Sequence, residues 1–265
     1  MDRMRSLFDD VRVTEDIDSL PENAIVIPYG LLASVSLWRK RKYKLGLSLM
    51  VDAYTLGIKS ELLYFYRKNY VSKKFLMIHL LRYCKYLIYE YIILRNYKNI
   101  MLVSYNDRKY YQDKQLTKRY APKIVVVPNG INLDPNRHSY RNTNTPKFRI
   151  GCLSNWDILT YYTLKDFLLE IWSKIDTSQM ELVIAGRELT PAMHEELETY
   201  QNVKIIGEVK ELNEFYDQID ASLITMVKEC GIINRVLDGF AYRVPVITRP
   251  QSLLAFENLP DCCYA

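Results

Sequence analysis

Apolar residues along this chain gather in short unbroken runs, with helix-like segments between them. AIVIP (24–28), LGLSLMV (45–51), IMLVS (100–104) and IVVVP (124–128) come first. After a polar stretch follow FRIGCL (148–153), ELVIAG (181–186), VKIIG (203–207), ASLITMV (221–227) and VPVIT (244–248). Runs of this length, rich in Val and Ile and lacking polar alternation, predict strands buried on both faces. Their alternation with helical segments predicts an α/β protein with parallel sheets covered on both sides.

The helical segments carry their own marks. In TLKDFLLEIWSKI, Leu164, Phe167, Leu168, Ile171, Trp172 and Ile175 repeat on one face, and Thr163 with Asp166 three later predicts an N-terminal cap there. In TPAMHEELETY, Thr190 takes the cap position and Pro191 the first helical one. ELNEFYDQI predicts a short connecting helix. Residues 128–148, PNGINLDPNRHSYRNTNTPKF, have no apolar period and are rich in Pro, Asn and Thr, which is linker chemistry. The expected division is therefore 1–135 and 146–265.

Residues 55–98 are long, helical and crowded with tyrosine and basic side chains. Rings between cations suit an anionic membrane surface, stacked nucleic-acid bases, or a packed helix pair whose basic ends reach outward. No RNA-binding or helix-turn-helix signature supports nucleic acid. The best candidate for a spanning helix, 75–94, holds His79, Arg82, Lys85 and Glu90, which argues against insertion. The N-terminus has no apolar core of signal-peptide length.

Charge sharpens the two-part picture. The net charge of the 265 residues is +5, but residues 23–130 hold 20 Lys and Arg against 5 Asp and Glu, whereas 131–265 hold 13 against 19. A basic part beside an acidic part argues for modules with different partners. A hydrophobic fraction of 49% excludes a disordered chain. Cys84, Cys152, Cys230, Cys262 and Cys263 have no paired spacing, so they read as reduced thiols of a cytoplasmic protein. His79, His138 and His194 lie in no nucleophile motif, and there is neither a P-loop nor an HExxH stretch.

The richest chemistry lies in GIINRVLDGFAYRVPVI (231–247). On a helix over 234–243, Val236, Leu237, Phe240 and Ala241 share a face that packs on a sheet, and Arg235, Asp238 and Tyr242 share the other. A glycine loop feeding a helix N-terminus offers free amides and the positive end of the helix dipole to an anion. Arg235 adds a fork matching phosphate oxygens, and Asp238 an acceptor for ribose hydroxyls. On spacing alone, the pair is equally an exposed (i, i+3) ion pair.

This stretch resembles the nucleotide-sugar site of the group 1 glycosyltransferases of GT-B fold, also called glycosyltransferase family 4. VVVPNGINLD (125–134) is similar to that family's interdomain turn, IGCLSN (150–155) to the loop opening its second domain, and ELVIAGRE (181–188) and VKIIGEVKELNEFYDQIDASLITMV (203–227) to its later strands and loops. The resemblance implies two Rossmann-like parallel-sheet domains, the N-terminal one incomplete and the C-terminal one lacking its last units. It implies that Arg235 holds the donor diphosphate, with Gly231, Ile232 and Ile233 supporting the phosphates. Gly151, Ser154 and Asn155 would face those phosphates, Gly186 and Arg187 would flank the cleft, and Glu208 and Val209 would frame the base. Asp238, in place of a glutamate, and Glu229, one position from the family's first acid, are the implied catalytic pair.

The implied reaction transfers a sugar from a nucleotide sugar to a glycan or lipid-linked acceptor with retention, in surface polysaccharide synthesis, without cofactor or metal. It implies a cytoplasmic protein, peripheral on a membrane. The sequence departs from the family at Asp52-Ala53-Tyr54, where a histidine is missing, and at Arg243, where a glycine is expected. These departures leave open a non-catalytic GT-B subunit that works with a partner chain. A nucleotide-sugar epimerase on the same fold would need paired carboxylates in the cleft.

Overall fold

The structure is a computed structural model describing residues 14, 16, 18–21, 24–133, 146–256 and 263–264. The middle of the expected linker, 134–145, and with it the proposed boundary, lies outside the described residues.

The first sheet has three parallel strands in the order β1 (Leu47–Val51), β2 (Asn99–Leu102), β3 (Ile124–Val126). Around it run helices α1 (Leu31–Lys40), α2 (Tyr54–Lys68), α3 (Lys73–Asn96) and α4 (Tyr105–Asp113). Met50, Ile93, Leu94, Tyr97, Ile100 and Leu102 form the centre of its core, each without solvent exposure. The run AIVIP, expected as a strand, is not one. At its end the chain meets the sheet in an isolated bridge between Tyr29 and Leu49, where Pro28 O accepts from Leu49 N–H at 3.0 Å and Gly30 N–H donates to Leu49 O at 2.7 Å. Ile25 is 80% exposed. Pro21 and Pro28 bracket this run, and a proline supplies no ladder donor.

The second sheet has six parallel strands in the order β6-β5-β4-β7-β8-β9. They are β4 (Phe148–Asn155), β5 (Met180–Arg187), β6 (Val203–Gly207), β7 (Ala221–Ile224), β8 (Val246–Thr248) and β9 (Cys263–Tyr264). Between them lie α5 (Ile158–Glu170), α6 (Pro191–Glu198), α7 (Leu212–Tyr216) and α8 (Asn234–Ala241). Burial on both faces holds as expected. Along β5, Leu182 and Ile184 pack with Leu164, Leu168 and Trp172 on one side, while Val183 and Ala185 meet Phe215, Tyr216 and Ile219 on the other.

Thr190 caps α6 by accepting Met193 N–H at 3.3 Å, with Pro191 at the first helical position, as the sequence predicts. The expected cap at Thr163 is wrong. The helix begins earlier, capped by Asp157, which accepts Thr160 N–H at 2.8 Å. Thr163 and Asp166 are buried inside it because other elements use them. The Thr163 hydroxyl lies 3.2 Å from that of Thr225, and Asp166 accepts from Tyr64 and Tyr70, at 2.8 and 2.5 Å.

Two sets of contacts join the sheets. Asp166 and Glu170 of α5 receive Lys68 of α2 at 3.1 and 2.5 Å, and Tyr70 stacks on Tyr162 with centroids 4.5 Å apart. At the other seam, the loop after β7 faces the carboxyl ends of β1 and β2. Lys228 pairs with Asp52 at 3.4 Å, and Asn106 Nδ2 donates to Glu229 O at 2.8 Å.

Candidate functional site

Strand order locates the cleft. From β4 the chain moves outward through β5 and β6, then returns to build β7, β8 and β9 on β4's opposite side. The direction reverses between β4 and β7, and helices leaving neighbouring strands in opposite directions open a crevice beyond their carboxyl ends. A cleft of about 430 Å³ lies in this region. Ser154 and Asn155 at the end of β4, Gly186 and Arg187 at the end of β5, Glu208 and Val209 after β6, and Arg235 from α8 all line it. Seven residues named from the sequence are thus brought together.

The approach of β4 to β5 depends on Gly186. Its φ is +129°, and a Cβ there would stand 1.7 Å from Ser154 O, so no other residue fits this backbone. The Trp156 indole N–H donates to Ala185 O at 3.0 Å and holds the β4 end in place. At the rim, Arg187 Nε lies 3.8 Å from Glu208, with both side chains more than half exposed. Such a pair contributes little to stability and separates readily for a ligand.

Helix α8 supplies the cation. Val236 has no exposure and packs with Ile224, Ile233 and Val246, turning the opposite face toward the cleft. Among the described residues, no side chain caps the helix N-terminus. Arg235 lies in its first turn and donates from Nη1 to Asp238 at 2.7 Å. The (i, i+3) pair therefore forms, yet Arg235 also lines both the cleft and a small adjoining cavity of about 30 Å³. A guanidinium has five N–H donors, so one bond to Asp238 leaves donors for a phosphate. Asn129, in the turn expected between the two parts, donates to Asn234 at 2.9 Å at the head of this helix.

Five of the other named residues, Gly151, Glu229, Gly231, Ile232 and Ile233, do not line this cleft. Gly151 lies inside β4, where an added Cβ would come within 2.6 Å of Ile219 and Phe215; it serves the packing of α7, not the phosphate loop. The Gly231 N–H, expected to face phosphates, donates to the Asp107 carboxylate at 3.0 and 3.2 Å. Its φ of +67° and the Asp52 carboxylate, 2.3 Å from where a Cβ would sit, make glycine necessary at the seam. Glu229 engages the seam through its carbonyl. Ile233, the N-cap residue of α8, is buried and lines the small cavity.

Asp107, Lys228 and Cys230 surround that seam and were missed as a group. Burial, and then the charge of Asp52, pushes the Asp107 carboxyl up to about 7. The Cys230 thiol is raised by its own burial and lies against Gly57, with Sγ 2.6 Å from where a Cβ on that glycine would sit. Burial opposes the Lys228 ammonium, yet it is held above its ordinary value by the carboxylates around it, Asp52 foremost. Among the described residues, no three His, Cys, Asp or Glu side chains are grouped to hold a metal ion.

Residues 148–257 match the family model described as "Glycosyl transferases group 1". This segment, 110 of the 265 residues, is similar to a group 1 glycosyltransferase domain. Its architecture is that of the GT-B enzymes. The lipopolysaccharide outer core galactosyltransferase WaaB superimposes over 89% of this chain and 60% of its own, with a TM-score of 0.53 and 14% identity. WaaG, a glycosyltransferase involved in lipopolysaccharide biosynthesis, covers 66% of this chain and 50% of its own, with a TM-score of 0.50 and 20% identity. A glycosyltransferase from Rickettsia africae covers 65% and 50%, with a TM-score of 0.50 and 16% identity. At these identities the likeness establishes the fold, and the chain spans 50% to 60% of the length of these three. No curated protein matches it.

Proposed function

We propose that the protein is a glycosyltransferase that moves a sugar from a nucleotide-sugar donor to a glycan or lipid-linked acceptor, with retention of configuration, in the synthesis of a surface polysaccharide. The observation that carries the reading is the convergence of Arg235, Ser154, Asn155, Gly186, Arg187, Glu208 and Val209 on one polar cleft at the strand-order reversal. Arg235 and the amides at the head of α8 hold the diphosphate and neutralise the charge that develops on it as the sugar departs. Asp238 orients the guanidinium and accepts from ribose or sugar hydroxyls. Glu208 and Val209 frame the base. WaaB and WaaG are named for lipopolysaccharide synthesis, which agrees with a surface-glycan acceptor.

Binding without turnover is a second reading. It is favoured by Tyr54, which stands where the resemblance expects a histidine, and by Lys228, whose ammonium pairs with the neighbouring Asp52. A thermal-shift series with UDP-, GDP- and ADP-sugars tests the donor site. Ligand at a hundredfold excess over its Kd adds about 2.7 kcal/mol, worth roughly 5 to 10 °C for a chain of this size. One nucleotide should give that rise and Arg235→Ala should abolish it, whereas no shift with any nucleotide would overturn the reading. Sugar release or transfer then separates an enzyme from a binder.

A further inference from the structure

The cleft has a direction. Neighbouring strands lie about 4.8 Å apart, so the ends of β7, β4, β5 and β6 span roughly 14 Å in that order. Helix α8, which carries Arg235, follows β7 and packs on β7 and β8 at one end of this row. Glu208, Val209 and Lys210 follow β6 and stand at the other end. A nucleoside diphosphate whose phosphates meet Arg235 therefore extends along the strand ends, and its base arrives over the loop after β6.

That end suits a flat ring with polar groups along one edge. Leu153, Val209 and Leu212 line the cleft and pack on the core beneath it, which gives the ring an apolar wall. One carboxylate and two cations share the space with them, from Glu208, Arg187 and Lys210. The Glu208 side chain is 63% exposed, and its 3.8 Å pairing with Arg187 is loose enough for both groups to turn to a ligand.

An ionised carboxylate offers two acceptor oxygens and no donor, and a guanidinium only donors. The common bases satisfy this pair unequally. Guanine presents two adjacent donors, N1–H and N2–H2, beside its O6 acceptor. The donors match both carboxylate oxygens, and O6 matches the arginine fork. Uracil offers one donor, N3–H, between two carbonyl oxygens that repel a carboxylate. Adenine and cytosine each offer a single amino group beside an acceptor ring nitrogen.

We propose that the cleft selects a guanine nucleotide, with Glu208 accepting from N1–H and N2–H2 and Arg187 donating to O6. The donor is then a GDP-sugar. This rests on the donor-site reading above and deepens it by fixing the base.

The test is isothermal titration calorimetry of the full chain with GDP, UDP, ADP and inosine diphosphate. GDP should bind at least about tenfold tighter than UDP or ADP, the discrimination a matched bidentate pair supplies. Inosine diphosphate keeps O6 and N1–H but lacks the N2 amino group, so it should bind about tenfold more weakly than GDP. Glu208→Gln should lower GDP affinity by about tenfold and narrow the gap to UDP, with an unchanged melting temperature because the side chain is exposed. UDP or ADP binding as tightly as GDP would overturn the proposal and leave the donor site standing. So would inosine diphosphate equal to GDP, or a Glu208→Gln protein that keeps the full preference for GDP. If no nucleotide binds, the donor reading itself fails and the choice of base falls with it.

Discussion

Replacing Asp107 by asparagine isolates the electrostatics of the seam. The carboxyl is fully buried in the first turn of α4 and accepts the Gly231 N–H at 3.0 and 3.2 Å. Its value near 7 results from burial and the charge of Asp52, opposed by the amides of Gly231 and Ala53 and by the Lys228 ammonium. The folded chain therefore keeps a proton that the unfolded chain releases near 3.8. The stability from that proton is fully present below the unfolded value and is lost as pH rises through the folded one, between 3.8 and about 7. The difference corresponds to a loss on the order of 4 kcal/mol across that window.

The neighbouring Lys228 and Cys230 both titrate above their ordinary values and stay protonated throughout it. Asparagine keeps the shape and an oxygen for the Gly231 N–H but cannot ionise. Urea unfolding followed by tryptophan fluorescence at intervals from about pH 5 to 8 reads the effect as a shift in midpoint. Wild type should lose stability toward pH 8. Asp107→Asn should show a much flatter profile and be the more stable of the two at the alkaline end. If both proteins follow the same curve, the carboxyl is not held protonated by the seam and the reasoning fails.

Two further substitutions probe the joints and the packing. Asp166→Ala removes one buried acceptor shared by Tyr64, Tyr70 and Lys68, and should cost about 3 kcal/mol in urea unfolding; a loss under about 1 kcal/mol would mean the tie between α2 and α5 does not hold. Gly239→Ala places a methyl 2.4 Å from Val246 Cγ2, so overpacking of about 1 to 3 kcal/mol should outweigh alanine's helix preference, and an unchanged or raised melting temperature would contradict that contact.

The strands of the second sheet were legible because both of their faces are buried, which leaves unbroken apolar runs whose ends mark the cleft. The separation of Val236 and Phe240 from Arg235 and Asp238 on a 3.6-residue period was legible for the same reason: one face had to pack. Reading failed where a residue's partner is distant in sequence. Thr163 and Asp166 looked like a helix cap because a local pattern carries no trace of Thr225 or Tyr64. AIVIP looked like a strand because composition does not say whether a run has neighbours to pair with. Asp107 gave no sign of its role because its acceptor function depends on a glycine 124 positions away.

That distant bond has a consequence for the cleft. Gly231 is held by the first sheet's Asp107, Glu229 by Asn106, and Lys228 by Asp52. Two residues after Gly231 comes Ile233, the N-cap of the helix that carries Arg235. The loop that ties the two sheets together is therefore the same loop that aims the cation. Movement of one sheet against the other at this seam breaks bonds within five residues of that cap, so the reach of Arg235 into the cleft depends on how the sheets are set. A seam that were only mechanical could be placed anywhere along the interface; its position directly before α8 couples domain arrangement to the charge at the site.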